Sequence, residues 1–221
     1  HPICMHNKPT GRTGFTRVTI NPNQITFKQL NLPKTKEKQE GYFVKRFVEE
    51  SRKQFKFIIN NYQQNKENDF DYLLEIGNHE KIYLELKEVL FQEDKNSLPY
   101  KHKNLIINNY DYAQSISKSI KNYSQKYSSD KPLHLLLYNT DFKFSLSNIT
   151  MDLLRYFLHD QHLIFENIFY YSPLDQENGI VNIIFPSSRE WDNFDANNYK
   201  NSIEYKFDQE KFKPIQSEGV S

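Results

Sequence analysis

The chain has one cysteine, Cys4, among its 221 residues. A single cysteine cannot form a disulfide within the chain or supply a set of thiolate ligands. A disulfide-stabilised fold and a cysteine-based zinc site built by this chain alone are therefore excluded. Scarce cysteine is typical of proteins in a reducing compartment, and we expect a cytoplasmic protein.

Glycine is also scarce, with six residues in the whole chain. The segment Gly11-Arg12-Thr13-Gly14 is too short for either of the common phosphate-cradling loops. Nucleotide-dependent motors and dinucleotide-binding dehydrogenases are therefore excluded.

Long apolar runs and excess charge are missing as well. No stretch approaches the ~20 consecutive apolar residues of a membrane-spanning helix, so no membrane association is expected. The 29 basic and 28 acidic residues leave a net charge of +1. A general nucleic-acid coat is more basic, so nucleic-acid binding would need positive charge concentrated on one face.

Aromatic residues, in contrast, are abundant, with 17 Phe and 15 Tyr. They provide a core for one compact domain, which the length also favours. We predict an extended arm or a pair of edge strands over residues 1–35, a domain over residues 36–187, and a polar, aromatic tail over residues 188–221.

Hydrophobic periodicity predicts helices in three places. An apolar stripe of three- and four-residue steps begins near Thr35 and continues through Val44 and Phe47 to Tyr62. A second helix is predicted over 108–127, and a third from a cap at Ser147 or Asn148 to Leu158.

Strand patterns fill most of the remaining chain. We predict a hairpin over residues 69–90, a polar loop over 91–104, a buried strand over 133–138 and a second hairpin over 165–185. Helices that alternate with strands and hairpins are typical of an α/β fold, with a mixed central sheet flanked by helices.

The first hairpin carries acidic and basic residues in a pattern that favours metal chemistry. In its second strand Leu84 and Leu86 face one side, and Glu85 and Lys87 face the other. Asp71 precedes the apolar run of the first strand and can lie near Glu85 across the hairpin. Two carboxylates suit Mg²⁺ or Mn²⁺, and the carbonyl of Leu86 can add a third oxygen.

A lysine beside such a metal has a role of its own. Lys87 can orient or help to deprotonate an attacking water, and it can offset the negative charge that develops on phosphorus. The metal would polarise a scissile phosphate and acidify its water. Hydrolysis of a phosphodiester needs this combination of groups.

At this point the sequence resembles the PD-(D/E)XK nuclease superfamily, which has the restriction-endonuclease-like fold. In that family an acidic residue starts one strand and Glu-x-Lys lies on the next, between two helices. The resemblance covers about residues 36–140 and is sharpest at 85–87. It implies that Asp71 and Glu85 are metal ligands and that Lys87 is the catalytic lysine.

The chain departs from the family pattern in one respect, since the proline of the family name is absent. Asn68-Asp69 stands where Pro-Asp is expected, so Asp69 is an alternative to Asp71. We prefer Asp71 because an uninterrupted apolar strand begins immediately after it.

Some relatives add a glutamine from the following helix, and others add a glutamate from the first helix. Gln114, which shares a helix face with Lys118, is the candidate glutamine, and Glu49 and Glu50 are the candidate glutamates.

The resemblance implies an Mg²⁺-dependent endonuclease that cuts DNA rather than RNA, in prokaryotic defence, restriction or repair. Many nucleases of this type cut duplexes as dimers, so a homodimer is compatible with it. One alternative is a degenerate member that binds nucleic acid or a partner, because Glu-x-Lys also occurs as an exposed strand face. Another is an interaction protein that assembles through its aromatic tail and proline-rich arm.

Overall fold

The computed structural model of the chain describes residues 13–21, 24–55, 58–65, 70–90 and 105–206. In these ranges the strands and helices, in chain order, are β1 (Thr13–Asn21), β2 (Gln24–Asn31), α1 (Lys36–Phe55), β3 (Ile59–Gln64), β4 (Tyr72–Ile76), β5 (Glu80–Glu88), β6 (Leu105–Asn108), α2 (Asn109–Ser124), β7 (Leu133–Tyr138), α3 (Asn148–Leu158), β8 (Asn167–Pro173), β9 (Gly179–Phe185) and β10 (Ile203–Lys206). Short 3₁₀ turns lie at Phe142–Phe144 and Ala196–Tyr199.

Six strands form one mixed sheet in the order β3-β4-β5-β7-β8-β9. The three inner strands β5, β7 and β8 run parallel, and antiparallel partners extend the sheet on both sides. Parallel neighbours need a crossover connection, which α2 provides between β5 and β7 and α3 between β7 and β8. The predicted α/β class, with a mixed central sheet flanked by helices, is confirmed.

Two apolar layers cover the two faces of this sheet. On one face α1 buries Phe43 and Phe47 against residues that include Leu84 and Leu136. On the other face α2 and α3 pack over residues that include Leu135. Both faces of β7 are therefore covered, and all of its residues are buried, as predicted for this run.

The first helix is shorter than its apolar stripe predicts. It ends at Phe55, so the extension of the helix to Tyr62 is wrong. Ile58 is 64% exposed, and Tyr62 belongs to the strand β3, which pairs with β4. Pairing with the open side of β4 outweighs the local helical pattern here, because strand preference depends on the neighbouring strand.

The N-terminal strands lie in the predicted runs, but they form their own two-stranded sheet and do not join the edge of the central sheet. At the other end, the residues after β9 pack onto the domain. Trp191 is buried, and β10 pairs with β6. The predicted loop over 91–104 and the last part of the tail, 207–221, lie outside the described residues. None of the helices in the described ranges has the length and apolar character needed to cross a membrane.

Candidate active site

The strand register brings Asp71 opposite Glu85. Tyr72 at the start of β4 pairs with Leu84, so the next position outward places Asp71 beside Glu85. The backbone amide of Asp71 donates to Glu85 Oε2 at 3.3 Å. Asp71 Oδ2 in turn accepts the backbone N–H of Leu86 at 2.8 Å, where β4 no longer offers a carbonyl. The structure thus brings together the three residues predicted to bind a metal.

Glu85 is a buried carboxylate held by several donors. Its side chain faces α2, where the phenol of Tyr123 donates to Oε1 and the phenol of Tyr127 donates to the same oxygen at 3.2 Å. Burial raises the pKa of Glu85 to about 7, and the charge of Asp71 adds to the rise, while the hydrogen bond from Tyr123 opposes it. Glu85 is therefore close to its midpoint of ionisation at neutral pH.

Asp71 lies in an acidic environment of its own. Burial raises the pKa of Asp71, the Leu86 N–H opposes that rise, and the charge of Glu40 adds to it. Glu40, in the second turn of α1, also accepts the Lys36 ammonium at 3.2 Å and the phenol of Tyr138 at 3.4 Å. A third carboxylate therefore acts on the site from α1.

Lys87 lies on the same face of β5 as Glu85. Its ammonium is 4.5 Å from the centroid of the Tyr123 ring, within range of a cation–π interaction. Burial lowers the pKa of Lys87, and the nearby charge of Lys126 lowers it further. Within the described ranges Lys87 forms no ion pair. Its ammonium is therefore near Glu85 without being neutralised by it.

The arrangement of oxygens fits a hard divalent cation. Two partly desolvated carboxylates lie side by side, the charge of Asp71 raises the pKa of Glu85, and the charge of Glu40 raises the pKa of Asp71. In the part of the chain described, Asp71 Oδ1 accepts no hydrogen bond and Glu85 Oε2 accepts one. Among those residues no group of three or more His, Cys, Asp or Glu could hold a metal. A cation here would need the Leu86 carbonyl and water as well, as is usual for Mg²⁺.

Other candidates lie apart from this site. Gln114 is exposed and lines a groove between α2 and α3 with Lys118. Glu49 pairs with Arg46, which also donates to the β8–β9 turn at Glu177.

Glu50 is likewise placed away from the junction. It pairs with Lys53 at 2.7 Å and accepts from Gln54, which reaches the carbonyl of Gly179. The two glutamates proposed for the first helix therefore face the second hairpin and not Asp71. Asp69, the alternative to Asp71, lies outside the described residues.

Sequence reasoning missed three residues of this site. The predicted helix over 108–127 gives Tyr123 and Tyr127 no part in the site, although their hydroxyls donate to Glu85. The sequence signal for them is the use of Tyr instead of Phe on this side of the helix, because a covered Tyr hydroxyl usually has a hydrogen-bond partner. Glu40 was overlooked because helical periodicity does not show which turn of α1 lies near the end of β4.

Comparisons with known proteins add little to this geometry. No protein-family model and no curated protein matches the chain. Among solved structures the chain is similar to Pyrococcus furiosus SfsA in complex with Ca²⁺, with a TM-score of 0.30 and 10% identity over 77% of this chain and 74% of that one. A TM-score this low supports no argument about activity, so function has to be argued from the site itself.

Proposed function

We propose that this chain is an Mg²⁺-dependent endonuclease of the PD-(D/E)XK type that hydrolyses DNA. The observation that carries the proposal is the junction of β4 and β5. There the carboxylates of Asp71 and Glu85 are each hydrogen-bonded to the backbone of the other strand, and the ammonium of Lys87 lies on the same side of β5 as Glu85. Two acids with raised pKa values beside a lysine with a lowered pKa are the kind of perturbed cluster that functional sites contain.

Asp71 and Glu85 would hold the cation, with the Leu86 carbonyl as a third protein ligand. The bound cation would polarise the scissile phosphate and acidify a water molecule. Tyr123 and Tyr127 fix one oxygen of Glu85, which orients the other oxygen towards Asp71.

Lys87 supplies the second function of the site. Its lowered pKa brings the ammonium closer to the range in which it can exchange a proton with water at neutral pH. While charged, it can also stabilise the negative charge that develops on the phosphate oxygens.

One observation favours the alternative, a nuclease-like protein that binds nucleic acid or a partner without cutting. Three protein donors already satisfy the Glu85 carboxylate, which a site without metal also requires. The two functions differ in whether a divalent cation binds at Asp71 and Glu85.

The test combines metal binding with cleavage. We expect Mn²⁺ and Mg²⁺ to bind in calorimetric titrations and to support cleavage of plasmid and oligonucleotide DNA. Glu85→Ala and Lys87→Ala should each lower the cleavage rate at least about a hundredfold, and Glu85→Ala should also abolish metal binding. Glu49→Ala, which removes an ion-paired acid of α1 away from the site, is the control and should leave both intact.

Cation binding without cleavage of any DNA or RNA substrate would favour the binding protein. Absence of cation binding in the wild type, at concentrations well above those of an ordinary enzyme assay, would contradict the nuclease. A change from monomer to dimer on DNA would fit a nuclease that cuts duplexes as a homodimer, and it can be followed in the same samples by light scattering.

A further inference from the structure

The proposed active site continues along α2 into a cavity of about 240 Å³. The cavity lies between the C-terminal end of β5 and the middle of α2. Lys87 lines it together with Ser115 and Ser119, and Ile116 and Leu137 contribute apolar walls. One ammonium and two hydroxyl groups in the lining favour an anion, because all three can donate hydrogen bonds to it.

The hydroxyl groups on this side of α2 form a regular row. Ser115, Ser119 and Tyr123 follow one another at four-residue steps, so they lie on one face of α2, and Tyr127 follows just after the helix ends. The two tyrosines donate to Glu85. The hydroxyls of the two serines form no hydrogen bond to any residue that the structure describes. The tyrosine hydroxyls therefore already donate to Glu85, and the serine hydroxyls can donate to a bound ligand.

The charges around the cavity also favour an anion. Lys126 adds positive charge near Lys87, as its effect on the pKa of that lysine shows. Glu88 also borders the cavity. Its position in β5 directs its side chain to the opposite face from Lys87, and its carboxylate accepts the hydroxyl of Thr140. Apart from Glu88, the polar side chains that line the cavity from β5 and α2, namely Lys87, Ser115 and Ser119, are all donors.

We propose that this cavity binds a backbone phosphate of the substrate strand, next to the phosphate that is cleaved. Ser115 and Ser119 donate their hydroxyls to it, and Lys87 lies between the two phosphates. Lysine and serine contacts of this kind fix the position of a nucleic-acid strand without reading its sequence. The inference rests on the proposed nuclease function and gives the strand a direction, from the junction of β4 and β5 towards the N-terminal half of α2.

The test measures binding without cleavage. Fluorescence anisotropy with a labelled single-stranded oligodeoxynucleotide, in EDTA, is compared for the wild type, Ser115→Ala/Ser119→Ala and Lys87→Met over a range of salt concentrations. We expect about tenfold weaker binding for the double serine variant with an unchanged salt dependence, because hydroxyls release no counterions. Lys87→Met should weaken binding and also reduce the slope of log K against log salt by about 0.7.

Gln114→Ala is the matched control, since it removes a polar side chain from the same helix one residue away from Ser115. Gln114 lines the groove on the other side of α2, so its loss should leave the affinity unchanged. Circular dichroism checks that the serine variant keeps its helix content, which Ala favours in any case.

Wild-type affinity in the double serine variant would overturn the proposal, as would a wild-type protein that does not bind the oligonucleotide. These results are distinguishable from failure of the nuclease assignment. Serine-dependent binding without cleavage in any metal would support the phosphate site and contradict the nuclease. Metal-dependent cleavage with normal binding by the serine variant would contradict the phosphate site alone.

Discussion

The central sheet contains two antiparallel hairpins, β4–β5 and β8–β9, which resemble each other in construction and differ in content. In each, one strand pairs in parallel with β7 and the other extends the sheet outward. The inner strand β8 buries Ile168, Phe169, Tyr170 and Tyr171, with no carboxylate, amine or imidazole among them. The inner strand β5 buries Glu85 at 4% exposure and leaves Lys87 partly covered.

The comparison of β5 with β8 shows that the fold does not need a carboxylate in an inner strand. The second hairpin shows that an inner strand of this sheet can pack with apolar and aromatic side chains alone. A carboxylate at the equivalent depth in β5 loses hydration, and its raised pKa records that cost. A group that destabilises the fold where an apolar residue would serve is best explained by function.

The largest expected effect is the change in stability with pH that the buried Glu85 causes and that β8 cannot show. The pKa of Glu85 is raised from 4.5 to about 7 in the folded protein, so the folded state binds this proton more tightly than the unfolded state. The stabilising contribution is complete below pH 4.5 and is lost as the pH rises through about 7. For metal-free protein in EDTA we expect this contribution to fall by about 2.5 kcal/mol between pH 5 and pH 8. It is measured by urea unfolding as the difference between the wild type and Glu85→Gln, because the titration of His134 in this range affects both proteins and cancels in the difference.

Glu85→Gln should remove most of that loss, because an amide can keep the phenol hydrogen bonds without carrying charge. At pH 8 the variant should be more stable than the wild type by about 2–3 kcal/mol, although it has lost the proposed metal ligand. His134 gives an internal comparison. Burial lowers its pKa to about 4, so its contribution is lost on acidification below pH 6.5 and should persist in the variant. Equal pH dependence of the two proteins above pH 5 would show that Glu85 is not desolvated.

A second prediction uses two glycines, each of which lies against a tyrosine of one hairpin. A Cβ at Gly179 in β9 would overlap the ring of Tyr171, which is fully buried and cannot move aside. Gly179→Ala should therefore destabilise the protein by roughly 1–3 kcal/mol. At Gly41 in α1 the nearest atom to an added Cβ is Tyr72 Oη at 3.6 Å, an ordinary contact.

Gly41→Ala should accordingly stabilise the protein by about 0.5–1 kcal/mol, since Ala is preferred inside a helix. Unfolding midpoints of the two variants, measured side by side in guanidinium chloride, check both signs. Destabilisation of similar size in both would mean that helix packing near Tyr72 is as tight as the packing of the second hairpin.

The same contrast explains what the sequence could predict. Both hairpins, the buried strand β7 and the helix α3 with its Ser147 cap were predictable, because each depends on local periodicity or on capping chemistry. The pairing of Asp71 with Glu85 also follows from a hairpin register that adjacent strands define.

Features that depend on distant parts of the chain were not predictable. The strand β3 forms where an apolar stripe suggests more helix, because the edge of β4 is available to it. Glu40 reaches the site because of the way α1 crosses the sheet, which no spacing within α1 reveals. Gln114 shares a helix with Tyr123 but faces α3, and only the packing of α2 between two layers decides which side meets β5.

The smallest predicted effect compares two hydrogen-bonded tyrosines, the partly buried Tyr123 beside β5 and the fully buried Tyr170 in β8. Tyr123 donates to Glu85, whereas Tyr170 in β8 donates to Asn139 at 2.7 Å and accepts the backbone N–H of Leu146 at 3.1 Å. Tyr123→Phe keeps the ring beneath Lys87 and removes the hydroxyl alone. Because a partner that orients a metal ligand typically contributes 10–100-fold to metal affinity, we expect Mn²⁺ binding to weaken about tenfold.

Tyr170→Phe, the matched change in the structural hairpin, should cost about 1 kcal/mol of stability and leave Mn²⁺ affinity unchanged. Calorimetric titration and thermal unfolding of both variants give two independent readings. Opposite responses, with affinity lost in one variant and stability in the other, would place the hydroxyl of Tyr123 in the site. If both variants lost stability and neither lost Mn²⁺ affinity, the hydroxyl of Tyr123 would serve only to satisfy a buried carboxylate. The inner strands β5 and β8 would then differ in polarity without a corresponding difference in function.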